Sequence, residues 1–193
     1  MTNFDATKAG RTFWLTGLPC SGKTTTAIAF AETLAERGVA VEVLDGDELR
    51  RRIGGGLGFS QEDRMENVRR AVYLSGLLNK HGVTTIVSLI SPYAEMRNYA
   101  RSELSRFVEV YIECPLEECE RRDVKGMYAL ARQGKITSFT GVSDVYEVPV
   151  SPELILRTDQ DSVHENVAKL LESFDQDQFT AHLHTESTLS SPK

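Results

Sequence analysis

The 193-residue sequence predicts an α/β fold, a three-layer sandwich in which helices cover both faces of a parallel sheet. Three observations lead there. Short apolar runs alternate with longer helical patterns, the order that builds strand–helix–strand units. The runs are continuously apolar, as strands buried on both faces require. A glycine-rich turn joins the first run directly to the first helix.

Residues 12–16 read as a buried strand, and 24–37 as a helix that Gly38 stops. Residues 39–44 form the second strand. A long helix over 60–81 opens on Ser60, whose hydroxyl suits an N-cap, and Glu62 and Asp63 favour the positive end of its dipole. The third strand covers 83–90, a helix 94–106, and the fourth strand 107–112, after which Pro115 opens another helix. A short strand at 154–156 and an amphipathic helix at 161–174 complete one domain over residues 1–175. Two stretches break the alternation. Residues 123–150 are polar and punctuated by Gly126, Gly134, Gly141 and Pro149, too long for an ordinary connection, and are read as a lid. Residues 176–193 are polar, with Ser and Thr clustered near the end, and are read as a disordered tail.

The net charge is −6, so general nucleic-acid binding, which needs a basic surface, is not expected. Cys20, Cys114 and Cys119 form no C-x-x-C pair and are odd in number, which points away from a disulfide framework or zinc site and towards a reducing, cytoplasmic setting. Residues 1–10 hold no apolar run, so no signal peptide is expected, and no run is long enough to span a membrane.

The strongest motif is Gly17-Leu18-Pro19-Cys20-Ser21-Gly22-Lys23-Thr24. It fits G-x-x-x-x-G-K-[ST] at every fixed position and lies between a strand and a helix, the context of a phosphate-binding P-loop. Its glycines let backbone N–H groups face phosphate oxygens, and the helix N-terminus adds partial positive charge. Lys23 is expected on the β- and γ-phosphates of ATP and the Thr24 hydroxyl on Mg²⁺. The fold is therefore expected to be of the P-loop NTPase type.

Asp45-Gly46-Asp47 follows the second strand at its C-terminal end, where ligands bind in open α/β sheets. Two acids there could hold a hydrated metal or accept a hydroxyl proton; the plainer alternative is a solvated turn capping the next helix. Arg50, Arg51 and Arg52, a glycine run ending in Phe59, and then Arg64, Asn67 and Arg70 follow. Arg64 and Asn67 share one helix face, and guanidinium forks suit phosphate or sulfate. Any one of these arginines could equally be solvated surface. Ser91, at the end of the third strand, could cap a helix, touch substrate or act covalently; capping or contact is the default. His81 and His164 receive no catalytic role.

These residues together resemble the adenylylsulfate (APS) kinase family. The likeness rests on the phosphate loop, on Leu44-Asp45-Gly46-Asp47 with Arg50, and on Leu57-Gly58-Phe59-Ser60. It continues through Asp63-Arg64-x-Glu66-Asn67-x-Arg69-Arg70, Val87-Ser88-Leu89-Ile90-Ser91-Pro92-Tyr93, Pro115-Leu116-Glu117-x-Cys119-Glu120-x-Arg122-Asp123, Lys125-Gly126-x-Tyr128, Phe139-Thr140-Gly141 and Tyr146-Glu147-x-Pro149. The blocks keep family order from about residue 12 to about residue 174. The resemblance implies transfer of the ATP γ-phosphoryl to the ribose 3′-hydroxyl of APS, with Mg²⁺, in sulfate activation. It implies ATP contacts over residues 17–25, Thr25 included. It places the acceptor adenine on Phe59 and Phe139, its phosphosulfate on Arg50, Arg64 and Asn67, and further acceptor contacts on Asp45, Lys125 and Lys135. Asp47 is implied beside the metal and the acceptor hydroxyl, making Lys23, Asp47 and Ser91 the catalytic set with Thr24 and Asp47 on the metal. It also implies a homodimer. Ser91 is often described in the family as a phosphoserine; direct in-line transfer is the physical preference, because phosphoryl transfer needs positioning and charge stabilisation more than a covalent stop. Departures from the pattern at Ser138, Val124, Val145 and Gly54-Gly55-Gly56 affect lid and loop stiffness. Another small-molecule kinase acting on a different anionic nucleotide or a sugar acid, and a non-catalytic nucleotide-binding regulator, are the alternatives; intact Lys23, Thr24 and Asp47 argue against the second.

Overall fold

The computed structural model describes residues 9–189, with side chains as far as Gln176. Five strands, β1 (Thr12–Thr16), β2 (Val41–Asp45), β3 (Thr84–Ser88), β4 (Phe107–Glu113) and β5 (Leu154–Arg157), form one sheet in the order β2-β3-β1-β4-β5. Every pairing is parallel. The chain leaves the central β1 for the edge strand β2, returns to β3, then crosses β1 to β4, so the direction of winding changes beside β1. The crevice at such a switch, outside the C-terminal strand ends, is where a ligand fits.

Side chains of successive β1 residues point to opposite faces, and this splits the core in two. Phe13 and Leu15 pack with Phe30 and Leu34 of α1 (Lys23–Glu36) and with Leu170 and Phe174 of the last helix. Trp14 packs on the other face with Val68 and Val72 of α3 (Gln61–Lys80) and Met96 and Ala100 of α4 (Ala94–Glu103). The central strands β1 and β3 are buried along their whole length, as their apolar runs require. The edge strands β2 and β5 are half-exposed, so not every strand is covered on both faces.

The expected elements are present with ends shifted by a few residues, and three features depart from expectation. Gly46–Ile53 forms a helix, α2, instead of a turn; Asp45 caps it by accepting from the N–H groups of Asp47 and Glu48 at 2.9 and 3.2 Å. The 123–150 stretch, which follows α5 (Leu116–Arg122), is not structureless: α6 (Met127–Arg132) lies within it, and Thr140 bridges to Asp144. The last helix, α7 (Val163–Leu189), starts at a capping box in which Ser162 and Glu165 bond each other's backbone N–H, and it runs past Phe174 where a tail was expected from 176. Residues 190–193 of that expected tail lie outside the described residues. No helix among the described residues is long and apolar enough to cross a membrane.

Candidate active site

A cavity of about 930 Å³ opens at the C-terminal edge of the sheet. Its floor is the turn from β1 into α1. Gly17 passes so close to β4 that an added Cβ would lie 2.6 Å from the Ile112 carbonyl oxygen, and Gly22 adopts φ +97°, so both positions need glycine. The start of α1 carries no side-chain cap and no acid in its first turn. Elsewhere among the described residues, each helix start has an acceptor or an acidic first turn: Asp45 for α2, Ser60 for α3, Glu147 for α4, Glu117 for α5, Asp123 for α6 and Ser162 for α7. The unpaired N–H groups of α1 are thus left for an external anion.

Lys23 lies under this loop and donates to the carbonyl oxygens of Gly17 at 3.0 Å and Leu18 at 2.6 Å. Burial pulls its pKa down from 10.5 to about 8. The Thr24 hydroxyl donates to Asp45 Oδ2 at 2.9 Å and lies 3.2 Å from Ser88 Oγ. Asp45, not Asp47, is therefore the carboxylate in contact with the loop threonine. Asp47 is largely exposed and pairs with Lys125 from the 123–150 stretch. No group of three or more His, Cys, Asp or Glu side chains among the described residues could hold a metal by itself. The oxygens of Thr24 and Asp45 nevertheless suit Mg²⁺, which takes one or two carboxylates and completes its shell with phosphate and water.

On the other side of the cavity the Arg64 guanidinium spans two loops. It donates through Nε to the Phe59 carbonyl at 2.8 Å, through Nη1 to Thr140 Oγ1 at 2.6 Å, and to the Ser138 carbonyl, and it pairs with Asp144 at 3.3 Å. One buried cation thereby sets the spacing of Phe59 and Phe139. Arg50 lies 4.8 Å above the Phe59 ring and donates to the Gly58 carbonyl. Ser91 is buried with φ +44°, and its hydroxyl accepts from Trp14 Nε1 at 2.9 Å. Its carbonyl accepts from Arg97 Nη1 at 2.7 Å, and Arg97 Nη2 donates to the Glu147 carbonyl at 2.6 Å. Arg97 is neutralised by Glu109 at 2.9 Å, so one buried ion pair ties the loop after β3 to the return of the 123–150 stretch.

The family model for adenylylsulphate kinase matches residues 9–157. The chain belongs to the adenylylsulphate kinase family. The adenylyl-sulfate kinase of Gloeothece citriformis is 50% identical over 167 residues, 86% of this chain and 95% of that one. That of Microcystis aeruginosa is 51% identical over 161 residues, 83% and 89% of the two chains. The solved Mycobacterium tuberculosis APS kinase CysC, in complex with AMPPNP and APS, superposes with a TM-score of 0.84 at 42% identity, covering 86% of this chain and 98% of that one.

Set against the family motifs, most implied site residues meet in the one cavity. Pro19, Cys20, Gly22, Lys23, Thr24 and Thr25 line its phosphate end, while Asp45, Asp47, Arg50, Phe59, Arg64, Asn67, Ser91, Lys125 and Phe139 line the rest. Gly17, Leu18 and Ser21 lie behind the wall, with their polar atoms turned to Lys23. Lys135 is exposed and does not line the cavity. The cavity also takes in Arg122, which the family blocks contain without an implied role, and two residues that sequence reasoning passed over, Thr158 and Asn166. Thr158 stands just beyond the C-terminal end of β5, where ligands bind in open α/β sheets. Asn166 lies one turn inside a helix read only as amphipathic.

Proposed function

We propose that the chain transfers the γ-phosphoryl group of ATP to the ribose 3′-hydroxyl of APS, giving ADP and 3′-phosphoadenosine 5′-phosphosulfate. The observation that carries this is the joining, in one cavity, of an uncapped phosphate-loop helix to a compartment of arginine, amide and aromatic side chains. The α1 N–H groups and Lys23 hold the β- and γ-phosphates and stabilise the charge that builds up in transfer. Thr24 and Asp45 would hold Mg²⁺, which would supply positive charge against that of the phosphates. Phe59 and Phe139 flank the acceptor base, with Arg50, Arg64 and Asn67 on its phosphosulfate. Asp47 leaves Lys125 to orient the attacking hydroxyl; an exposed ion pair of this kind is worth about 0–1 kcal/mol and yields readily to a ligand. Ser91 supports the loop between the two compartments, and transfer is direct and in line.

The assignment further takes residues 1–175 as the catalytic domain, 123–150 as its lid, a homodimer as the assembly and the cytoplasm as the location; these follow the family resemblance and the cysteine usage. The deciding experiment measures ADP release with APS against a panel of other nucleotides, sugars and sugar acids. APS is expected to give the highest kcat/KM by far. A better acceptor from the panel would replace this reading with that of another small-molecule kinase, and ATP binding without turnover on any acceptor would make the chain a regulator.

A further inference from the structure

Two side-chain amides in the cavity wall are buried with an unpaired Oδ1: Asn67 on α3, 3% exposed, and Asn166 on α7, 1% exposed. A buried acceptor left unsatisfied costs about 1–3 kcal/mol, so each such group in a folded protein needs a cause. For Asn67 the cause is the acceptor compartment around it. Asn166 lies at the opposite end, where neither the motifs nor the mechanism above gives it a task.

The wall that holds Asn166 begins at the phosphate loop. The Thr158 hydroxyl donates to the Ser21 carbonyl at 2.6 Å, and a Cβ on Gly22 would lie 3.4 Å from the Thr158 methyl. A nucleoside triphosphate whose phosphates occupy the α1 N-terminus, with the acceptor on the Phe59–Phe139 side, has this wall left for its base. The other polar side chains here are already engaged. Arg122 donates to Glu118 and to both oxygens of Thr158, and Asp161 accepts from Lys169 at 2.7 Å. The Asn166 Oδ1 is left without a partner.

We propose that Asn166 selects the base of the phosphoryl donor, its Oδ1 accepting from the exocyclic amino group of adenine. A carboxamide presents an acceptor beside a donor, which complements the adenine amino group beside a ring nitrogen. Purine and hypoxanthine lack that amino donor. The inference rests on the kinase reading of the cavity and adds the residue that distinguishes ATP from other purine triphosphates.

The test compares ATP with purine riboside 5′-triphosphate, for the wild-type chain and for Asn166→Leu and Asn166→Ala. Binding is measured by titration calorimetry without acceptor, and kcat/KM at saturating APS. The wild type is expected to favour ATP by about tenfold, the value of one hydrogen bond to a buried partner. Both variants are expected to lose that preference, with KM for APS unchanged and the melting temperature of the ligand-free protein not lowered, because the orphan has been removed. Equal affinity of the wild type for both nucleotides overturns the proposal. So does a variant that keeps the preference for ATP, whatever its stability. If only one variant folds, it decides alone; if neither folds, Asn166 is a structural residue and the proposal fails. Calorimetry separates this outcome from failure of the kinase reading, since base preference is read there without any phosphoryl transfer.

Discussion

Lys23 illustrates how burial sets the working range of one residue. Its pKa of about 8 in the fold lies below the ordinary 10.5, so between those values the unfolded chain binds the extra proton and stability rises with pH across that window. Function runs the other way. The ammonium must be charged to hold a polyanion, so kcat/KM for ATP is expected to fall as pH rises above about 8, and ATP binding there is expected to take up a proton. A pH profile of kcat/KM, with calorimetry in buffers of different ionisation enthalpy, checks both; a profile flat to pH 10 contradicts them. Ser91 shows a different constraint. Its hydroxyl accepts from the buried Trp14 indole N–H at 2.9 Å, so Ser91→Ala orphans a buried donor at a cost of about 1–3 kcal/mol. The variant is expected to melt earlier yet still turn over, with inversion at a chiral γ-thiophosphate. Loss of all activity together with retention in the wild type would establish a phosphoserine.

At the scale of elements, the start of α1 and the start of α7 have opposite designs. The first lacks a cap and so attracts an anion; the second is closed by the Ser162–Glu165 box. The far end of α7 poses a question of packing. Phe174, 4% exposed, is the last core side chain of α7 among the described residues, placed 6.4 Å from Phe13 and 4.8 Å from the Arg11 guanidinium. Beyond it, Asp175 makes an exposed pair with Arg37. Ending the chain after Gln176 is therefore expected to leave activity unchanged and stability within about 1 kcal/mol. Phe174→Ala is expected to cost about 3–5 kcal/mol. Denaturant melts of the two proteins separate the cases, and a large loss on truncation would show that the continuation of α7 packs on the core.

For the whole molecule, the sheet order brings five strand ends to one edge, and Arg97 connects what gathers there. The same guanidinium holds the loop after β3, the return of the 123–150 stretch and Glu109 of β4, which Arg101 also contacts at 3.0 Å. Arg97→Met leaves a buried carboxylate with one partner fewer. It is expected to cost about 3 kcal/mol and to raise KM for the acceptor more than KM for ATP. A fall in stability with both KM values unchanged would make Arg97 a purely structural residue.

Much of this was legible in the chain itself. The phosphate loop, the continuous apolar strands and Ser60 ahead of Glu62 and Asp63 are local signals, because turn chemistry, periodicity and capping act over a few residues. The family blocks carried the acceptor compartment for the same reason, each being a short run in order. Other features waited for the tertiary structure. That Asp45 meets Thr24 while Asp47 pairs with Lys125 depends on where α2 starts against a loop 21 residues earlier. That Lys135 misses the cavity depends on the path of the chain after α6. That Arg97 is buried against Glu109 and Asn166 left unpaired depends on packing between elements far apart in sequence. Composition and spacing name which residues are capable of chemistry; desolvation and the meeting of distant elements decide which of them face the same cavity, and in what state of charge.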